Sequence, residues 1–229
     1  MLRVKVIGIG GIGTNLLAFL PRYLAYQWKG RGGVEMTLVD GDRFEGKNEA
    51  RQIFDEQGNK AKVTARLLRT NFPSLAVFAL AEFVTPQNTK KVVRPGDIVL
   101  LAVDNHATRK LVFDRCRELA NVTLISAGND LVDGSVMVYI RRKGKDVTDP
   151  VRLHPEIQFP QDKNPGEDPS CMALAAQGEP QLVLTNMAAA LGMAMVLFQI
   201  LEGRVPAEEI YFNIGTGVFR PRKEESDGT

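Results

Sequence analysis

Cysteine is nearly absent from this chain: of 229 residues, only Cys116 and Cys171 carry a thiol. Two thiols build neither a disulfide framework nor a four-cysteine zinc site, and no C-x-x-C pair exists. A reducing, cytoplasmic setting is the expectation. An excess of one charge is lacking too, since a net charge of +2 is too small to point to nucleic acid or an anionic membrane. Long apolar runs are also missing. The longest near the C-terminal end, 187–198, is too short to span a bilayer and reads as a buried helix. The opening MLRVKVIGIGGIGTNLLAFL is interrupted by Lys5 and by glycines, and no A-x-A site follows, which excludes a signal peptide. What remains is ordinary, 44% hydrophobic and 24% charged, and long enough for one core, so residues 1–229 read as a single domain.

Strand-like and helix-like segments alternate along the first half. Strands are expected over 4–7, 34–39, 75–81, 98–103 and 122–126, and helices over 12–28, 60–71, 86–93 and 106–120. That rhythm predicts an α/β fold: a Rossmann-like, mostly parallel sheet with helices on both faces. The run IVLLAV suits a strand covered on both sides. Residues 135–142 follow a D-G turn and are expected to pair antiparallel, with a closing strand over 210–219. Between them, residues 143–180 hold six of the twelve prolines and read as a long crossover loop, followed by a helix over 182–201. A polar tail covers 222–229, and no internal repeat is visible.

Gly8, Gly10 and Gly13 form G-x-G-x-x-G between the first strand and the first helix. Such a turn lets phosphate approach the backbone and meet the free N–H groups and positive dipole of a helix N-terminus. Asp40, closing the second strand, stands where a ribose-binding acid belongs. Turn glycines with an N-capping aspartate would give the same letters, and a nicotinamide-dependent dehydrogenase fits them as well. The polar crowd that follows, VDGDRFEGKNEARQ at 39–52, is more than a ribose site needs.

Four stretches in order, GIGGIG at 8–13, VDGDRFEGKNEARQ at 39–52, GNKAKV at 58–63 and VDNHATR at 103–109, resemble the adenylating superfamily of ThiF, MoeB and the ubiquitin-activating enzymes. The resemblance runs from about residue 4 to 201. It implies that Gly8, Gly10, Gly11 and Gly13 cradle ATP, that Asp40 holds its ribose, and that Asn48, Arg51 and Gln52 contact its phosphates. It also implies magnesium on Asp104 and a phosphate-binding lysine. The family's lysine falls between Lys60 and Lys62, and the following Val63 favours Lys62. Asn105 and Arg109 extend the match without a defined role, and Asp42 has none. Chemistry agrees with these types, because joining a carboxylate to the α-phosphate of ATP brings two anions together and calls for cations. Arginine grips phosphate bidentately, lysine acts as a point charge, and one hard carboxylate suits magnesium.

Members of the family often carry a cysteine in a crossover loop, accepting the acyl group as a thioester or taking part in sulfur transfer. Cys171 stands in such a place, behind Asp168 and Pro169 as N-cap and first helical residue, where a helix dipole favours thiolate. It reads equally as a small buried loop residue. Cys116 reads as helix packing, and neither His106 nor His154 is given a role. The family's structural zinc cannot be built from these cysteines, and the N-terminal segment that supplies a partner subunit's arginine in some members is not expected here. A minimal bacterial-type member is expected, working as a homodimer. It would adenylate the C-terminal glycine carboxylate of a ubiquitin-like or sulfur-carrier protein, with transfer to Cys171 and a downstream conjugating protein as later steps. Alternatives on the same fold are activation of a carboxylate on tRNA-bound adenosine, as in the dehydratase members, and a non-catalytic scaffold subunit.

Overall fold

The computed structural model of the protein describes residues 1–46, 49, 52–54, 56–160 and 181–222. Its centre is a twisted sheet in which β1 (Leu2–Ile7), β2 (Val34–Val39), β5 (Leu75–Leu80), β6 (Ile98–Leu101) and β7 (Val122–Asn129) run parallel in the order β5-β2-β1-β6-β7. Beyond β7 the pairing turns antiparallel through β8 (Asp133–Arg142), β10 (Glu209–Asn213) and β11 (Val218–Arg222), with β9 (Lys145–Thr148) returning on β8. A short pair, β3 (Arg43–Phe44) with β4 (Gly58–Asn59), stands apart.

Both faces of the sheet are covered, which is why its central strands carry no alternation. On β6, Ile98 and Leu100 enter one core while Val99 and Leu101 enter the other. The first core packs under α1 (Gly11–Gln27), α2 (Lys60–Asn71) and a long helix, α5 (Gln181–Leu201). The second packs under α3 (Thr89–Val92) and α4 (His106–Arg117). Strand order reverses between β1 and β6, since β2 and β5 continue on one side and β7 on the other. Clefts for ligands open outside the carboxyl ends of strands at such a reversal.

The mostly parallel sheet with an antiparallel C-terminal part is as the sequence predicts, with two differences. The segment 143–160 is not plain loop. Lys143 and Gly144, both at positive φ, turn the chain so that β9 pairs with β8, and short 3-10 turns follow at Pro150–Arg152 and Pro155–Gln158. The closing strand is a hairpin, β10 and β11, because the chain reverses around Gly215 and Gly217. The helix expected over 182–201 is α5. At 21 residues and a mean hydropathy of 1.8 it is long and apolar enough to cross a bilayer, yet one face lies on α1, β7 and β8.

Candidate functional site

Each glycine of the first turn answers to a different neighbour. Gly8 has φ +90°, and a Cβ there would meet the Ala102 carbonyl oxygen at 2.6 Å, so the loop is pressed against the end of β6. At Gly13 a Cβ would lie 2.2 Å from the Gly8 carbonyl oxygen, which fixes the close approach of α1 to the loop. Gly11 faces the side chain of Asn186 on α5. Gly10 meets nothing within 4 Å among the described residues and opens on the cleft.

Asp40 is buried at the end of β2 and organises this turn. Its Oδ2 accepts from the Ile9 amide at 2.6 Å, and its Oδ1 accepts from the Asp42 amide at 2.8 Å. Burial pushes its carboxyl above the usual range, against the pull of Lys60 and of the two amide bonds. Asn59 ties the region together: its carboxamide donates to the Asp40 and Asp42 carbonyls, and its oxygen caps α2 by accepting from the Lys62 amide. That cap sets the rotation of α2. Lys60, 5% exposed, turns inward so that its Nζ lies 3.1 Å from Asp42 Oδ2. Phe44 stacks on Phe54 with ring centroids 4.7 Å apart and anchors the chain beside Gln52. Gln52 is buried, and its Oε1 finds no hydrogen-bond partner among the described residues.

These groups line one cleft of about 800 Å³. Gly8, Gly10, Gly11, Asp40, Asp42, Gln52 and Lys60 form one wall, and Asp104, Asn105 and Arg109 form another. Asp104 is exposed, whereas the two residues that extend the sequence match are structural. Asn105 caps α4 by accepting from the Thr108 amide at 2.8 Å. Arg109 is buried and clamps β6 to β7 through the Val103 and Ala127 carbonyls and Ser126 Oγ. Beyond β7 the cleft continues over Ser135, Tyr211, Glu209 and His154. Glu209 Oε1 lies 2.9 Å from His154 Nε2, and Arg222 stands 3.5 Å from Oε2. Burial opposes ionisation of Glu209, but His154, Ser135 and Arg222 together hold its carboxyl below the ordinary range.

Asp40, Gln52, Lys60, Asp104 and the glycine turn therefore converge. Lys62 does not join them. It lines a separate hollow of about 510 Å³ with Arg66 and Arg69, where Arg66 pairs with Glu56 and Arg69 donates to the Val77 carbonyl. Asn48, Arg51 and Cys171 lie outside the described residues. Cys116 is buried in the core and its thiol is pushed up to about 12 by desolvation, so it is inert. Sequence reasoning missed Asp42 as the partner of Lys60, His154 and Glu209 at the far end, and Asn186. The first was visible as a second acid two residues after Asp40; the others carried no local signal.

The sequence profile of the ThiF family matches residues 1–219. A sulfur carrier protein adenylyltransferase of Thermus thermophilus is 31% identical over 204 residues, covering 85% of this chain and 69% of that protein. The SAMP-activating enzyme E1 of Haloferax volcanii is 30% identical over 185 residues, covering 77% of this chain and 60% of that protein. Among solved structures, E. coli MccB with ATP aligns at a TM-score of 0.68 and 20% identity. That alignment covers 97% of this chain and 63% of MccB, a likeness of fold.

Proposed function

The chain belongs to the ThiF family, and from that premise we propose that it adenylates the C-terminal glycine carboxylate of a ubiquitin-like or sulfur-carrier protein with ATP. The observation that carries this reading is the convergence of an open glycine turn, a buried ribose-side acid, an inward lysine and an exposed aspartate on one cleft. A carboxylate oxygen of the carrier attacks the α-phosphorus, the bond to the bridging oxygen breaks, and pyrophosphate leaves. The nucleophile is already an anion, so no general base is required.

In this reaction Asp40 accepts the ribose hydroxyls on the lone pairs its two amide bonds leave over. Lys60 reaches phosphate as a point charge. Its pairing with Asp42, whose side chain is 60% exposed, is a weak tether that phosphate can displace. Gln52 lines the same cleft and donates to the anions from its Nε2, and Asn48 and Arg51 are assigned there by resemblance. The donor set suits magnesium: Asp104 offers an exposed hard carboxylate, and magnesium takes the rest of its ligands from phosphate and water. When bound, the ion would neutralise charge on the phosphates. Transfer of the acyl group to Cys171 belongs to the same proposal, as do a single adenylation domain over 1–229 and a cytoplasmic setting.

The proposal extends to a homodimer. Leu184, Met187, Leu191, Met195 and Phe198 are exposed at helical spacing along α5, and Tyr23 of α1 touches Phe198 between the exposed Phe19 and Tyr26. On the order of 700 Å² of apolar surface lies along this stripe at ordinary side-chain sizes, close to one partner's share of a standard interface. α5 has no charged residue, so its stripe can face a second copy of itself about a two-fold axis.

ATP–pyrophosphate exchange with candidate carriers tests the reaction. Carrier-dependent exchange that Asp104→Ala removes is expected; normal exchange by Asp104→Ala would sink the assignment.

A further inference from the structure

The turn between β1 and α1 has one glycine more than its pattern requires. G-x-G-x-x-G needs Gly8, Gly10 and Gly13, whereas Gly11 is left over as the first residue of α1. Its neighbour explains it: a Cβ at Gly11 would lie 2.2 Å from Asn186 Nδ2 and 2.7 Å from Asn186 Cγ. Glycine at this position lets a carboxamide from α5 rest on the N-terminus of α1.

Asn186 is an odd residue to find there. The helix around it is apolar, and the adjacent Thr185 is committed, accepting from Asn129 Nδ2 and donating to the Leu182 carbonyl. Asn186 is 3% exposed and lines the cleft, and its carboxamide makes no hydrogen bond among the described residues. Its polar atoms open on the cleft, where a ligand can supply the hydrogen bond that the described residues do not. The start of α1 has matching needs. Gly10 provides no side-chain cap, the first turn carries no acid, and the leading amides face the cleft as an anion site.

We infer that Asn186 donates from Nδ2 to a phosphate oxygen of the nucleotide held at the start of α1, a contact that rests on the ATP reading of the cleft. It places a donor from α5 opposite those of the glycine turn, so the phosphate is gripped between two elements of the fold. The group is neutral: it orients the phosphate and adds nothing to the charge supplied by Lys60. Asn186 is thus a binding residue, and Gly11 is the spacer that admits it.

Calorimetry with ATP, AMP and adenosine on the whole chain tests the contact. Asn186→Ala is expected to weaken ATP and AMP about ten- to a hundredfold, the range for one hydrogen bond to a charged group, and to leave adenosine unchanged. Asn186→Asp keeps the size but sets a carboxylate against phosphate, so it should weaken AMP at least as much. A melting curve accompanies each variant, and if Asn186→Ala unfolds, Asn186→Asp carries the comparison. Equal losses for adenosine and AMP would overturn the inference, as would unchanged AMP binding. Wild-type protein that binds no adenine nucleotide would instead bring down the ATP reading, and the contact with it.

Discussion

Gly10→Ala separates what the glycine turn does for the fold from what it does for the ligand. Gly10 sits at φ −86° and ψ −151°, in extended backbone, and among the described residues nothing lies within 4 Å of its missing Cβ. A Gly-to-Ala change that the native backbone accommodates restricts the unfolded chain and stabilises by about 0.4–1 kcal/mol. For a domain of this size that is a rise of about 2–4 °C per kcal/mol in melting temperature. The new methyl, however, stands in the space a phosphate must enter. Overpacking of that kind costs about 1–3 kcal/mol, so ATP affinity should fall from about fivefold to over a hundredfold. Gly13→Ala is the control of opposite sign: its Cβ would lie 2.2 Å from the Gly8 carbonyl oxygen and 3.0 Å from its carbon, both backbone. That variant should melt several degrees lower. Urea unfolding with equal slopes, together with ATP calorimetry, reads both quantities. The reasoning is refuted if Gly10→Ala is destabilised as much as Gly13→Ala, or if it binds ATP as wild type does.

Other outcomes follow from the same geometry. Lys60→Ala should lower pyrophosphate exchange about a hundredfold or more, in line with loss of a cation at a transferring phosphate, while Lys62→Ala stays near wild type; initial rates at saturating carrier decide it. Leu191→Glu sets a charge in the middle of the apolar stripe on α5, and light scattering should show monomer where wild type shows dimer. Glu209 has a folded pKa below its reference of 4.5, so its stabilisation is present above that pH and is lost as pH falls through the lower folded value. Glu209→Gln should therefore flatten the acid limb of a stability-against-pH curve, and an unchanged limb would reject the assignment.

The parallel half of the fold was legible because strand and turn signals coincide there: a β-branched run meets glycines at Gly8, and Asp40 closes the next strand. The site was legible as a set and less so residue by residue. Lys60 and Lys62 are two positions apart, about 200° around a helix, so only one can face the cleft, and spacing alone does not say which. The Asn59 cap decides it, bringing Lys60 to Asp42 and turning Lys62 to the other hollow. β10 and β11 read as one strand because Ile214 and Val218 keep the apolar count high across a turn that Gly215 and Gly217 make. Arg109 looked like part of an active-site motif but spends its guanidinium on Val103, Ser126 and Ala127, contacts set by strand pairing that no local pattern records. Asn186 sits in an apolar helix, and its placement against Gly11 comes from tertiary packing.

The central claim is a carboxyl-to-phosphoryl transfer on a carrier's last glycine, and intact-mass spectrometry observes it most directly. A candidate carrier incubated with the chain, ATP and magnesium should gain one AMP moiety, and the same carrier lacking its terminal glycine should gain none. No adduct on any glycine-ended carrier, from protein that binds nicotinamide dinucleotide tightly, would contradict the account.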